Sequence, residues 1–298
     1  MRERLESLLA TNEIVVADGG MGTMLLAMAL PHGHCPELWN VEQPESIRSI
    51  HRGYINAGAQ IILTNSFGGT PLKLARHGLG DRAHELNKAA AGLARAEADA
   101  APGSVVVGGS MGPTGDIIAP LGKLAFDDAK AAFREQAAAL IEGGVDVIWI
   151  ETMSDLAEAR AAIEGAREAS AAAPIVVTMT FDTRGHTMMG VNPEKALEAA
   201  RKFNPLAVGG NCGNGPDEIV GVIEKMHRLD PGLPLVAKAN AGIPHLVDGR
   251  TVYDAAPEDM AAYAVRVRQV GARIIGACCG STPDHVRAIA EALRAPAQ

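Results

Sequence analysis

A chain of 298 residues with a net charge of −8, 47% hydrophobic and 21% charged, has the balance of an ordinary globular protein. No basic cluster offsets the acidity, which argues against nucleic acid as a partner, and no apolar run is long enough to span a bilayer. Met1-Arg2-Glu3-Arg4-Leu5-Glu6 lacks the apolar run of a signal peptide, so a cytoplasmic protein is expected, its four cysteines thiols or metal ligands rather than disulfides.

Apolar, β-branched runs alternate with Ala-rich amphipathic stretches along the whole chain. In order, the strand candidates are Ile14–Ala17, Gln60–Thr64, Ser104–Gly108, Val145–Ile150, Ile175–Thr180, Leu206–Gly209, Leu235–Ala239 and Arg273–Ala277. Between them, Asp128–Glu142, Leu156–Ser170, Asp217–Arg228 and Glu258–Val270 carry apolar residues at helical spacing. Pro193-Glu194, Pro216-Asp217, Pro257-Glu258 and Pro283-Asp284 read as helix starts, because proline costs nothing at the first helical position and the acid meets the positive end of the helix dipole. Eight such alternations predict a parallel sheet covered by helices. A closed (βα)8 TIM barrel fits that count, with a doubly wound open sheet as the runner-up. No low-complexity linker divides residues 1–298, so one domain is expected, with a frayed tail at 294–298.

A barrel gathers its chemistry where strands end and the following loops begin. There the sequence reads Asp18-Gly19-Gly20-Met21-Gly22-Thr23, Thr64-Asn65-Ser66-Phe67, Gly109-Ser110-Met111-Gly112, Glu151-Thr152, Phe181-Asp182, Asn211-Cys212-Gly213, Asn240-Ala241-Gly242 and Cys278-Cys279-Gly280. Three of the four cysteines fall at this one rim. Taken alone, Cys212 reads as a small buried hydrophobe, and Cys278-Cys279 could pair as a strained disulfide. Taken together they sit on strands six and eight, separated by one strand in a closed barrel. Three thiolates with one open position are what a catalytic zinc site needs.

The glycines after Asp18 leave N–H groups free for an anion at a helix start, though Gly-Gly is equally a tight turn. Asp18 and Glu151 are acids at the ends of strands one and four; with that cradle they could hold an amino acid zwitterion, or each could simply cap a helix. His32, His34 and Cys35 look like metal ligands, but Pro31, Gly33 and Pro36 mark the segment as an irregular loop. Lys238, on strand seven, offers Schiff-base chemistry of the aldolase kind as an alternative to an ion pair.

On the segments Asp18–Thr23, Thr64–Phe67, Ile150–Thr152, Asn211–Gly213, Asn240–Pro244 and Gly276–Gly280, the chain resembles the homocysteine S-methyltransferase family over nearly its full length. Glu37-Leu38-Trp39-Asn40, Gly109–Gly115 and Gly185–Gly190 bring it nearest to bacterial proteins called betaine–homocysteine methyltransferases. The resemblance implies Zn2+ on Cys212, Cys278 and Cys279, and homocysteine contacts at Asp18, Gly19, Gly20, Met21, Thr64, Asn65, Ser110 and Glu151. It implies methionine biosynthesis by methyl transfer from a small onium donor, betaine first and a sulfonium second. Transfer from a separate corrinoid protein is the alternative, and a homo-oligomer is allowed. A barrel with a purely structural metal ranks lower, beside the Lys238 aldolase. The animal betaine enzymes carry Trp-Thr-Pro in the first long loop and Tyr after the Phe of the second strand end. Here Leu38-Trp39-Asn40 and Gly68 stand instead, so their aromatic cage does not carry over. Aromatic residues are only 3% of the chain, which makes Trp39 and Phe67 near the mouth the candidates for the donor pocket.

Overall fold

The structure, a computed structural model, describes residues 2–31, 33–247 and 250–294. His32 of the loop cluster and the tail residues 295–298 therefore lie outside the described residues. Among the described residues, ten strands and twelve α-helices follow in order: α1 (Arg2–Thr11), β1 (Val15–Val16), α2 (Met21–Ala27), α3 (Trp39–Glu42), α4 (Pro44–Asn56), β2 (Ile61–Leu63), α5 (Pro71–Ala75), α6 (Ala83–Asp99), β3 (Val106–Met111), α7 (Phe126–Glu142), β4 (Val147–Met153), α8 (Leu156–Ala169), β5 (Ile175–Met179), α9 (Pro193–Arg201), β6 (Ala207–Cys212), α10 (Pro216–Leu229), β7 (Leu235–Ala239), β8 (His245–Val247), β9 (Arg250–Val252), α11 (Pro257–Gln269), β10 (Ala272–Ala277) and α12 (Pro283–Arg294).

Eight strands pair in parallel in the order β1-β10-β7-β6-β5-β4-β3-β2. A parallel bridge between Ala17 and Ile61 joins the two ends: Gln60 N–H donates to the Val16 carbonyl at 2.8 Å and Asp18 N–H to that of Ile61 at 3.0 Å. The ring is a (βα)8 barrel, as the alternation predicts, and not an open sheet. Alternate residues point to opposite faces of each strand. Ile61, Val106, Val147, Trp149, Val176 and Ile274 fill the barrel interior, while Ile62, Val107, Ile148, Ile175 and Ile275 meet the helical layer. Both faces are buried, which is why the strands read as continuous apolar runs.

Two features lie outside the predicted strand–helix alternation. Helix α1 buries Leu5 and Leu8 against Val15, Val147 and Ile274 and stoppers the N-terminal end of the barrel. The antiparallel pair β8–β9 stands after β7, with Leu246 76% exposed. Three strands also run further than predicted: β3 to Met111, β4 to Met153 and β6 to Cys212, because their ends still find partners (Met111 with Ile150, Met153 with Met179, Cys212 with Ala239). Ser110, Glu151 and Cys212 thus stand within their strands rather than just past the predicted ends. No helix among the described residues is long and apolar enough to cross a membrane.

Candidate active site at the mouth of the barrel

The C-terminal strand ends enclose a cavity of about 220 Å³. Its lining includes Asp18, Gly19, Gly20, Met21, Thr64, Asn65, Phe67, Ser110, Glu151, Cys212, Cys278 and Cys279, so all the candidate residues but Trp39 come together in one volume. A larger cleft of about 660 Å³ lies against α7, lined by Pro71, Leu72 and Glu135, and holds none of them.

Cys212 closes β6 with a positive φ of 57°, and Cys278 and Cys279 follow β10. All four cysteines are free thiols, and the Sγ atoms of Cys212, Cys278 and Cys279 lie within 4.8 Å of one another. Among the described residues no other three His, Cys, Asp or Glu side chains converge in this way. Gly280, at φ 81°, permits the turn: a Cβ there would stand 2.3 Å from the Tyr253 side chain. Gly20 is required for a similar reason, since its Cβ would fall 2.7 Å from the Cys278 carbonyl oxygen.

Two asparagines hold the thiols. Asn211 accepts from Thr152 N–H at 2.9 Å and the Thr178 hydroxyl at 2.7 Å, and donates to the Thr152 hydroxyl at 2.7 Å and to Cys212 Sγ at 3.4 Å. Asn240 donates to the Gly213 carbonyl at 2.8 Å and accepts from Cys279 N–H at 3.1 Å. Hydrogen bonds to Cys278 and Cys279, reinforced by burial, push the Cys212 thiol well above its usual range. Cys279, which accepts from Cys212 and Cys278, is lowered to about 3. The three thiols are thus coupled, each proton held between neighbouring sulfurs. A dication in their place would displace those protons, and soft thiolates suit zinc. Sulfurs around a tetrahedral zinc stand roughly 3.8 Å apart, given Zn–S near 2.3 Å. The Cys212–Cys278 pair, at 2.8 Å, would open by about an ångström to reach that spacing. The donor set fits a metal with one position left open.

Across the cavity stand two buried acids. Asp18 accepts from Leu63 N–H at 2.7 Å and from the Lys238 ammonium at 2.5 Å. Glu151 accepts from the Ser110 hydroxyl at 2.5 Å, and Ser110 N–H donates to Thr64 Oγ1 at 3.0 Å. Burial raises the Glu151 carboxyl to about 7 even with Lys238 nearby. Burial would lower Lys238, but the Asp18 and Glu151 carboxylates outweigh it and hold the amine above its ordinary range. The buried ion pair with Asp18 is the plainer of the two roles the sequence offers for Lys238, and a Schiff base would need the neutral amine instead. In the glycine turn, Gly20 N–H is already donated to Ser281 Oγ at 3.0 Å, which leaves the first turn of α2 at Met21 and Gly22 facing the cavity.

The remaining wall comes from loops. Phe67 lines the cavity with 38% of its surface exposed. Asn65 lines it too, but its amide donates to the Pro36 carbonyl at 2.8 Å and to Asn40 Oδ1 at 3.0 Å, tying the first long loop to the end of β2. Trp39 opens α3, half-buried against the apolar core and outside the cavity lining. Cys35 is buried and donates to Glu37. Sequence reasoning passed over Glu37, Asn211, Asn240 and Tyr253; the asparagines were quoted as motif neighbours of the cysteines without a role. Tyr253 hydrogen-bonds Cys279 from beyond the β8–β9 hairpin, and no local signal marks it.

The model of the family described as homocysteine S-methyltransferase matches residues 15–293. The chain is 32% identical over 297 residues to a protein named methionine synthase from Mycobacterium tuberculosis, covering 95% of this chain and 25% of that protein. The same name and 32% identity hold for a Mycobacterium leprae protein, over 94% of this chain and 24% of that one. The chain thus spans about a quarter of the length of these relatives. The crystal structure of the homocysteine methyltransferase MmuM from Escherichia coli, in its metallated form, superimposes with a TM-score of 0.81 at 27% identity, covering 97% of this chain and 99% of that one. With the family's model matched over nearly all of the barrel, the chain belongs to the homocysteine S-methyltransferase family.

Proposed function

We propose that this barrel moves a methyl group from a small onium donor, betaine first and a sulfonium second, to the sulfur of homocysteine, giving methionine. The observation that carries the reading is the meeting of three thiols and two buried acids across one small cavity. Cys212, Cys278 and Cys279 would hold a zinc ion. Bound there, zinc would keep the homocysteine sulfur as thiolate, recovering about 2 kcal/mol that a thiol with a pKa near 8.5 loses at neutral pH.

The chain's own residues do the rest. Asp18 and Glu151 receive the substrate ammonium, with Ser110 fixing the Glu151 carboxylate and Lys238 balancing one of the two negative charges. The first turn of α2 faces the substrate carboxylate. Holding the sulfur in line with the donor methyl contributes up to about 7–11 kcal/mol relative to free encounter. The S–CH3 bond forms as the N+–CH3 or S+–CH3 bond breaks, and its electron pair leaves with the neutral amine or sulfide. Charge on both partners is consumed, so a cavity that excludes water favours the step.

Methionine formation from homocysteine with a panel of methyl donors, run beside metal analysis, tests the reading; no product from any onium donor would sink it. A second reading takes the methyl group from a corrinoid protein docked at the mouth. It is favoured by one observation: the relatives named methionine synthase are about four times as long as this chain.

A further inference from the structure

Three carboxylates line the cavity, and they are not equivalent. Asp18 is paired with Lys238, whose charge Glu151 also feels. Glu37 is as buried as they are, at 5% exposure, yet it makes no ion pair among the described residues. Its Oε1 accepts from Gly68 N–H at 2.6 Å and its Oε2 from the Cys35 thiol at 3.1 Å. Both donors are neutral, and both oxygens act as acceptors. Neutral donors orient a carboxylate without cancelling its charge, and a buried charge without a counter-charge is costly.

Gly68 follows Phe67, so the bond that fixes Glu37 also ties it to the aromatic wall of the cavity. The ring alone is a poor cation trap. The Lys73 ammonium already stands 4.7 Å from its centroid, although Lys73 does not line the cavity. Lys73 feels Glu37 but is not within ion-pair distance of it. A carboxylate and an aromatic face thus border one space, and among the described residues no cation stands within ion-pair distance of that carboxylate.

We propose that Glu37 is the specificity-determining charge of the donor subsite, a carboxylate that with Phe67 selects a methylated ammonium or sulfonium head over a neutral group of the same shape. This rests on the onium-donor reading, and a binding measurement separates the two. The zinc-loaded full chain, wild type and Glu37→Gln, is titrated with betaine and with tert-butylacetate, its uncharged-carbon isostere, in the presence of homocysteine. Wild type is expected to prefer betaine by about tenfold or more, and Glu37→Gln to lose most of that preference while tert-butylacetate, homocysteine affinity and metal content stay nearly unchanged. A role confined to pinning Gly68 would weaken both ligands equally, and that result overturns the proposal. A wild-type ratio near one overturns it as well, even if the variant fails to fold. If the preference exists and collapses in the variant but no onium donor yields methionine, the cation subsite stands and the onium methyl-transfer reading falls.

Discussion

The two halves of the cavity are built on different principles. Around the thiols and the inner acids, each named side chain stands on or just beyond a strand end, and its polar atoms are tied to neighbours: Asn211 to two threonines, Asn240 to the turn at Gly213, Ser110 to Thr64 and Glu151. The opposite wall, made of Pro36, Glu37 and Phe67, comes from loop segments and holds an exposed ring and a carboxylate that, among the described residues, makes no ion pair. A centre that must present one sulfur in one direction is best carried on rigid elements. A wall that only has to recognise the charge and bulk of a second molecule tolerates loops, and loops are where change is accepted most easily.

If this contrast is right, the largest effects lie on the strand side. Cys212→Ala or Cys278→Ala should abolish metal binding and take turnover down further than the about hundredfold expected for a supporting partner, while circular dichroism shows the barrel intact. Full metal occupancy in Cys212→Ala would falsify the ligand assignment. Asn211→Ala should come next, lowering metal affinity by about ten- to a hundredfold because it frees Cys212 and Thr152 together. An unchanged affinity would show that Asn211 serves only the strand.

Asp18→Asn and Glu151→Gln should weaken homocysteine binding by about tenfold while metal stays bound. For Glu151 the sign of the pH dependence follows from its raised carboxyl. Binding an ammonium needs the ionised form, so apparent homocysteine affinity should hold above pH 7 and fall as pH drops through about 7. A profile that is flat between pH 6 and 8 (roughly one unit either side of that value) and identical in Glu151→Gln would remove Glu151 from the amine site.

The smallest effects belong to the loop side. Phe67→Leu should raise the donor KM by about threefold, the low end of one cation–π contact because the Lys73 ammonium already stands at the ring, and leave homocysteine KM alone. Trp39→Ala should raise it less, because Trp39 packs on the core outside the cavity lining. Should Trp39→Ala prove the more damaging of the two, the assignment of the donor wall to Phe67 and Glu37 is misplaced.

The same contrast sets what could be read in the sequence. Strand positions were legible because strands buried on both faces appear as unbroken apolar runs, and the order of such runs in a parallel barrel brings all their ends to one rim. Cys212, Cys278 and Cys279 could be brought together on topology alone. Ser110 and Glu151 were identified at the strand ends but just past the predicted strand limits, since apolar content stops before backbone pairing does. Helix α1 was missed because its buried contribution rests chiefly on Leu5 and Leu8, too few residues to display a period. Glu37 was invisible as a functional group: an acid in a loop rich in Pro and Gly looks like any solvated acid until the fold buries it. For Lys238 the plainer reading, an ion pair, was available, but its partner could not be named, because Asp18 lies 220 residues away in the chain.

Helix α1 has a kinetic corollary. Leu5 and Leu8 pack with the interior residues at one end of the barrel and the site lies at the other. Two ligands that share its cavity would therefore enter through the mouth, the second standing in the way of the first. On the proposed function, the thiols and Asp18 at the strand ends would seat homocysteine before the donor arrives, and the spent donor would depart before methionine does. We therefore expect an ordered sequential mechanism. Methionine should inhibit competitively with homocysteine, and excess donor should trap the empty enzyme as a dead-end complex. Parallel double-reciprocal lines, or donor exchange in the absence of homocysteine, would show that traffic through the mouth is not queued in this way.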